Sequence, residues 1–227
     1  MLVNPHMPTS STQRGDASHV GFNVAAIMLI LALGGVGLAY AIDAAGRADR
    51  QFPHRIDEEA TLTRTIGDRQ LEIPLSWFRY AEQRVEGFAK QIDLQFSVPL
   101  GENGALRTIE VTLLPRSRAE PSSRLLDRVY LHQFLPGEVA GPPGLVGKPL
   151  NAHDGFESET VWYDALSADP FVAKCSAPVT AGAEPRCLRT VHVGSIAAVY
   201  AFGGDVLGSW REFDARLLPM LRAIGAD

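Results

Sequence analysis

The chain has 227 residues, of which 46% are hydrophobic, 21% charged and 8% aromatic. That length suits one domain plus an appendage and excludes a multidomain machine, and the charged fraction excludes wholesale disorder. A net charge of −5 excludes a dedicated nucleic-acid binder, so no nucleic-acid partner is expected.

Residues 1–21 are polar, rich in Ser, Gly, Pro and His, and read as a disordered tail. Residues 22–42 carry no charge up to Ile42, and the run VAAIMLILALGGVGLAYAI is close to the roughly 20 apolar residues a helix needs to cross the hydrocarbon core. The segment therefore predicts a single-pass transmembrane helix, a signal-anchor with the lipid bilayer as its partner. Cleavage as a signal peptide is the alternative, because Ala39-Tyr40-Ala41 offers a small-x-small site. The run is longer than a usual signal core, and its leader holds only Arg14 and the amino terminus as positive groups.

Arg47, Arg50 and Arg55 follow the segment, which by the positive-inside rule pulls the large C-terminal part toward the cytoplasm. The cysteines pull the other way, and the reading favours the domain outside. Residues 43–60 are a charged juxtamembrane linker interrupted by Pro53.

The remainder, residues 61–227, predicts an α+β domain: one mostly antiparallel sheet with helices packed on one face. Thr61–Ile66 and residues 70–74 flank Gly67-Asp68 as an opening hairpin. Residues 76–90 place Trp77, Ala81, Val85 and Phe88 on one helical face. Ile92, Leu94, Phe96 and Val98 then alternate with Asp93, Gln95 and Ser97 as a half-buried strand. The turn Gly101-Glu102-Asn103-Gly104 leads to an antiparallel partner through Ile109, Val111 and Leu113.

Residues 129–135 lean to a strand, with the tail of a helix begun at Ser122 or Ser123 as the alternative. Residues 136–150, with four prolines and four glycines, read as an irregular surface loop. Strands are expected at 159–163, 171–175, 187–193 and 196–202, the last two joined by a turn at Gly194-Ser195. The closing helix has Ser209 and Glu212 as a capping box, an apolar face of Trp210, Phe213, Leu217, Leu221 and Ile224, and a kink or split at Pro219.

Cys175 and Cys187 stand at the feet of a proline-containing loop, in two strand-like runs. A hairpin would bring them within disulfide reach, worth about 3 kcal/mol in the chain-entropy account. Unrelated buried thiols rank next, then a redox pair, which lacks C-x-x-C spacing, and a metal site, which lacks further ligands. A bridge implies an oxidising compartment.

Chemistry is sparse. His153, Asp154, Glu157 and Glu159 form the densest polar cluster and are a candidate loop site for a cation or for acid–base work. Arg116, Arg118, Arg124 and Arg128 form a candidate basic patch for an anionic lipid, peptidoglycan carboxylates or an acidic partner. Arginine outnumbers lysine eighteen to three along the chain, so local arginine enrichment is partly background. Gly144 to Lys148 is not a phosphate loop, because Pro142 and Pro149 stand where glycine and Ser/Thr are required. No cofactor and no metal is expected.

The leading expectation is an inner-membrane protein displaying a disulfide-stapled periplasmic domain that binds an unidentified envelope protein, more accessory than enzyme. The alternative is a membrane-tethered hydrolase, metal-dependent or not, using His153, Asp154 and Glu157. A cytoplasm-facing domain with free thiols is a third reading.

Overall fold

In this computed structural model the described residues are 27–29, 31–38, 60–101, 104–178, 180 and 182–227. The chain divides into two units, Met1–Arg55 and Ile56–Asp227. In the first, residues 27–29 and 31–38 are helical, with every described apolar side chain exposed. Among the described residues no helix is long and apolar enough to cross a membrane. The transmembrane helix expected at 22–42 is thereby corrected, and the lipid contact inferred from it loses its support. The tail at 1–21 and all of the linker but Ala60 lie outside the described residues.

The second unit is mostly β. Its strands are β1 (Thr61–Ile66), β2 (Arg69–Pro74), β3 (Gly87–Phe88), β4 (Ile92–Leu100), β5 (Ala105–Pro115), β6 (Val146–Pro149), β7 (Glu159–Tyr163), β8 (Val172–Ser176), β9 (Arg186–Val193) and β10 (Ile196–Gly203). They form two sheets, a three-stranded one in the order β2-β1-β3 and a seven-stranded antiparallel one in the order β4-β5-β10-β9-β8-β7-β6. Two α-helices accompany them, α1 (Ser122–Arg128) and α2 (Trp210–Ala223). The expected α+β domain with one sheet is therefore corrected to a mostly β domain with two.

The alternation in β4 and β5 does what period-two patterning predicts. Ile92, Leu94 and Phe96 face the core beside Leu113, Val111 and Ile109 in register, and Val98 is buried opposite the exposed Arg107. The buried face of α2, Phe213, Leu217 and Leu221, lies in the same core with Tyr200 and Phe202 of β10. Tyr200 and Phe202 pack edgewise or tilted on Phe213 at 5.5 and 4.8 Å. A second, smaller core gathers Leu126 and Tyr130 from the α1 region against Val161 and Val172.

Several local expectations fail for identifiable reasons. Residues 76–90 are not a helix but 3-10 turns (Leu75–Trp77, Ala81–Gln83) leading into β3. Thr65 pairs with Phe88 in a parallel bridge, and the Ala89 N–H donates to the Thr65 carbonyl at 2.8 Å. Gly87 sits at φ +99°, where a helix cannot continue. Phe78 takes the core position opposite Leu94, while Val85 and Phe88 are left 55% and 65% exposed.

Residues 129–135 are not a strand. They hold a 3-10 turn, Tyr130–His132, directly after α1, which spaces Leu126 and Tyr130 onto one apolar face. The loop at 136–150 ends as β6, an edge strand in which Pro149 sits at the terminus, where a missing donor does no harm.

At the closing helix, Ser209 makes no side-chain cap. Glu212 instead accepts the Gly101 N–H at 2.5 Å, tying α2 to the β4–β5 turn. The helix runs on through Pro219 without splitting.

Candidate binding cleft

β8 and β9 pair over three residues only: Ser176 with Arg186, Cys175 with Cys187 and Lys174 with Leu188. A disulfide joins the opposed cysteines. Beyond Leu188 the two strands part, and the residue at the fork is Arg189. It shares the inward parity of Cys187, Val191 and Val193, and only 6% of its surface is exposed.

A guanidinium at such a place must be neutralised and hydrogen-bonded. Asp214, on the first turns of α2, meets it in a two-pronged pair. Arg189 Nε donates to one carboxylate oxygen at 3.1 Å and a terminal nitrogen to the other. The second terminal nitrogen reaches across the fork to the Val172 carbonyl, 3.2 Å, and the plane lies 4.5 Å from the Phe171 ring centroid.

Tyr200 stands directly opposite Arg189 in the β9–β10 register. Its hydroxyl is buried with no hydrogen-bond partner among the described residues. Burial, and then the Asp214 charge, push its pKa well above the ordinary phenol value, with Arg189 opposing.

The fork opens into a cleft of ≈ 260 Å³ whose walls come from four directions. Arg116 leaves the end of β5, and its guanidinium donates to the Gly194 carbonyl at 3.0 Å. Ser123 and Arg124 project from α1. Thr190 and His192 line the β9 side, and Asp169 and Asp214 add two carboxylates. The Thr190 N–H, which β8 no longer meets, donates to Ser122 Oγ at 2.8 Å. His192 Nε2–H donates to the Ala119 carbonyl at 2.8 Å, which makes Nε2 the protonated nitrogen and pins the ring.

The candidate residues from the sequence divide sharply. Arg116 and Arg124 reach the cleft, whereas Arg118 and Arg128 are exposed and do not line it. His153 is exposed on the 3-10 turn Ala152–Asp154, where its N–H donates to Asn151 Oδ1 at 3.1 Å, and Glu157 is exposed nearby. Asp154 closes that turn. Glu159, on β7, is occupied by the Lys174 ammonium at 2.6 and 2.7 Å and by the Ser176 hydroxyl at 3.1 Å. Among the described residues no three His, Cys, Asp or Glu side chains are grouped to hold a metal.

Arg189, Asp214 and Asp169 were not singled out from the sequence. A usable signal existed for one of them: Arg189 is a charged residue at an inward position of an otherwise apolar strand face, which calls for a buried partner.

The fold thus defines a mostly antiparallel β domain with a polar cleft at a strand fork. No family model and no curated protein matches the chain. Two solved structures are similar to it. One is an immunity protein of the Stenotrophomonas maltophilia type IV secretion system, 12% identical, covering 73% of this chain and 93% of that one at a TM-score of 0.50. The other is an iron-regulated outer membrane lipoprotein of Neisseria meningitidis, 9% identical, covering 74% and 92% at a TM-score of 0.42. At 12% identity the first likeness is one of fold alone.

Proposed function

We propose that the protein is a binding or accessory component of the bacterial cell envelope, facing an oxidising compartment, and that its β domain engages another protein through the β8–β9 cleft. The observation that carries this reading is the pinned Arg189–Asp214 pair flooring an open cleft rimmed by Arg116 and Arg124. A buried, orientation-locked arginine beside exposed ones suits recognition, because the fixed group sets geometry while the rim groups stay open to a partner. The Cys175–Cys187 bridge supports the compartment, since such bonds persist where thiols are not kept reduced. The fold shared with an immunity protein supports a binding role by analogy.

A photo-crosslinking residue placed at Ser123, with Glu157 as the control position, tests this in native cells. One discrete protein adduct from position 123, absent from position 157, is the expected result. No adduct from 123, or the same adducts from both positions, overturns the cleft as the binding surface.

A further inference from the structure

We infer that the cleft receives a carboxylate carried on an extended acidic segment of the partner protein; this rests on the binding role proposed above. The charge count decides the class of ligand. Arg116, Arg124 and Arg189 supply three cations to the lining, and Asp169 and Asp214 supply two anions, which leaves one positive charge among the arginines and carboxylates. One carboxylate matches that surplus. A dianionic phosphate does not, and would lie against two carboxylates.

Donor geometry points the same way. The Arg189 fork keeps one N–H on each terminal nitrogen beyond those given to Asp214 and Val172. Arg116 uses one of its terminal nitrogens on the Gly194 carbonyl and is otherwise exposed. Among the described residues the Arg124 side chain pairs with Glu120, four residues earlier, at 3.5 Å in an exposed contact that competes weakly. Planar forks of this kind take carboxylates through paired N–H donors.

The extended segment follows from the fork. Residues 189–193 of β9 have β10 on one side and no strand on the other. Alternate residues of an antiparallel ladder turn their N–H and C=O groups to the same side. The Thr190 N–H points away from β10, toward Ser122, so the N–H and C=O of His192 point that way as well. A peptide backbone can use those groups, whereas a free small anion leaves them idle. At ≈ 260 Å³ the cleft suits one side chain with its flanking peptide and is smaller than most small-molecule pockets.

The test titrates the full-length chain with acetylated, amidated hexaglutamate, and separately with hexaglutamine and with soluble peptidoglycan fragments. Hexaglutamate is expected to bind and to be weakened at least tenfold by Arg124→Glu and by Arg116→Glu. Arg118→Glu, outside the cleft, is expected to change affinity less than twofold. Equal weakening by all three variants, or equal binding of hexaglutamine, overturns the inference, as does saturation by peptidoglycan fragments in preference to the peptide. If the Ser123 crosslink persists but hexaglutamate neither binds nor competes with it, the carboxylate assignment fails while the binding role stands. If the crosslink is absent as well, both fail.

Discussion

Arg64 and Arg189 are buried to almost the same degree, 7% and 6% exposed, yet the domain solves the two charges differently. Arg189 has a carboxylate, an aromatic face and an opening to solvent. Arg64, on β1, meets backbone oxygens alone among the described residues: the Val85 carbonyl and, at 3.4 Å, that of Glu86, with its Nε unpartnered there. One guanidinium is neutralised and presented; the other is a staple that holds the 79–88 segment against β1. Burial alone therefore does not single out an arginine as a binding candidate. The partner's charge and the access to solvent do.

The largest expected effect breaks the Arg189 arrangement. Asp214→Ala strands a buried cation and should cost about 3–5 kcal/mol in urea unfolding. Replacing both partners, Arg189→Met with Asp214→Leu, should recover most of that stability, because two buried charges go together. A double variant that unfolds as readily as Asp214→Ala would show that the pair stabilises beyond its own desolvation.

Breaking the staple should cost less. Arg64→Met removes hydrogen bonds to two carbonyls and is expected to lower stability by about 1–3 kcal/mol. Its signature is local: faster amide exchange over residues 85–89, with exchange at the β8–β9 fork unchanged. Equal acceleration at both places would erase the distinction between the two arginines.

The smallest effect refines the Arg189 side. Tyr200→Phe deletes a buried hydroxyl without a partner and should stabilise by about 1 kcal/mol. It also changes the alkaline limb. With the folded-state pKa raised above the ordinary 10.0, the unfolded chain loses this proton first, so stability is intact below pH 10 and falls as pH rises beyond it. The variant should flatten that fall, leaving the smaller contribution of Tyr130, whose pKa is raised by its own burial and by Glu159. An unchanged alkaline slope would remove Tyr200 from the account.

Much of the sheet was legible because strand periodicity is local. Ile92 to Val98 follows from alternation, Glu159–Tyr163 from its β-branched and aromatic residues, and the Gly194-Ser195 turn from turn chemistry. Residues 76–90 were misread because Trp77, Ala81, Val85 and Phe88 mimic a helical face. The parallel bridge to β1 and the Gln83–Asp93 hydrogen bonds at 2.7 and 2.8 Å, both non-local, decide the outcome. The Ser209–Glu212 box failed for a similar reason, since Gly101 lies far away in sequence but close in space.

Of the cleft, Arg116 and Arg124 were visible as part of a cluster. Which two of the four arginines matter depends on the course of the chain from β5 into α1. Asp214 shows no signature of its own, because a polar position on an amphipathic helix looks the same whether it meets water or a buried cation.

Trp162 lies with its ring flat against the backbone at Gly141 and Gly147, and a methyl group added at either glycine would overlap the indole. The strap formed by residues 136–149 is caught again where Trp210 Nε1–H donates to the Pro143 carbonyl at 3.2 Å. A stretch whose makeup suggests tolerance to any replacement therefore holds two positions with no room for a methyl group. Across descendants of this chain, drift should spare those two positions and accumulate instead on the outward rim of the strap.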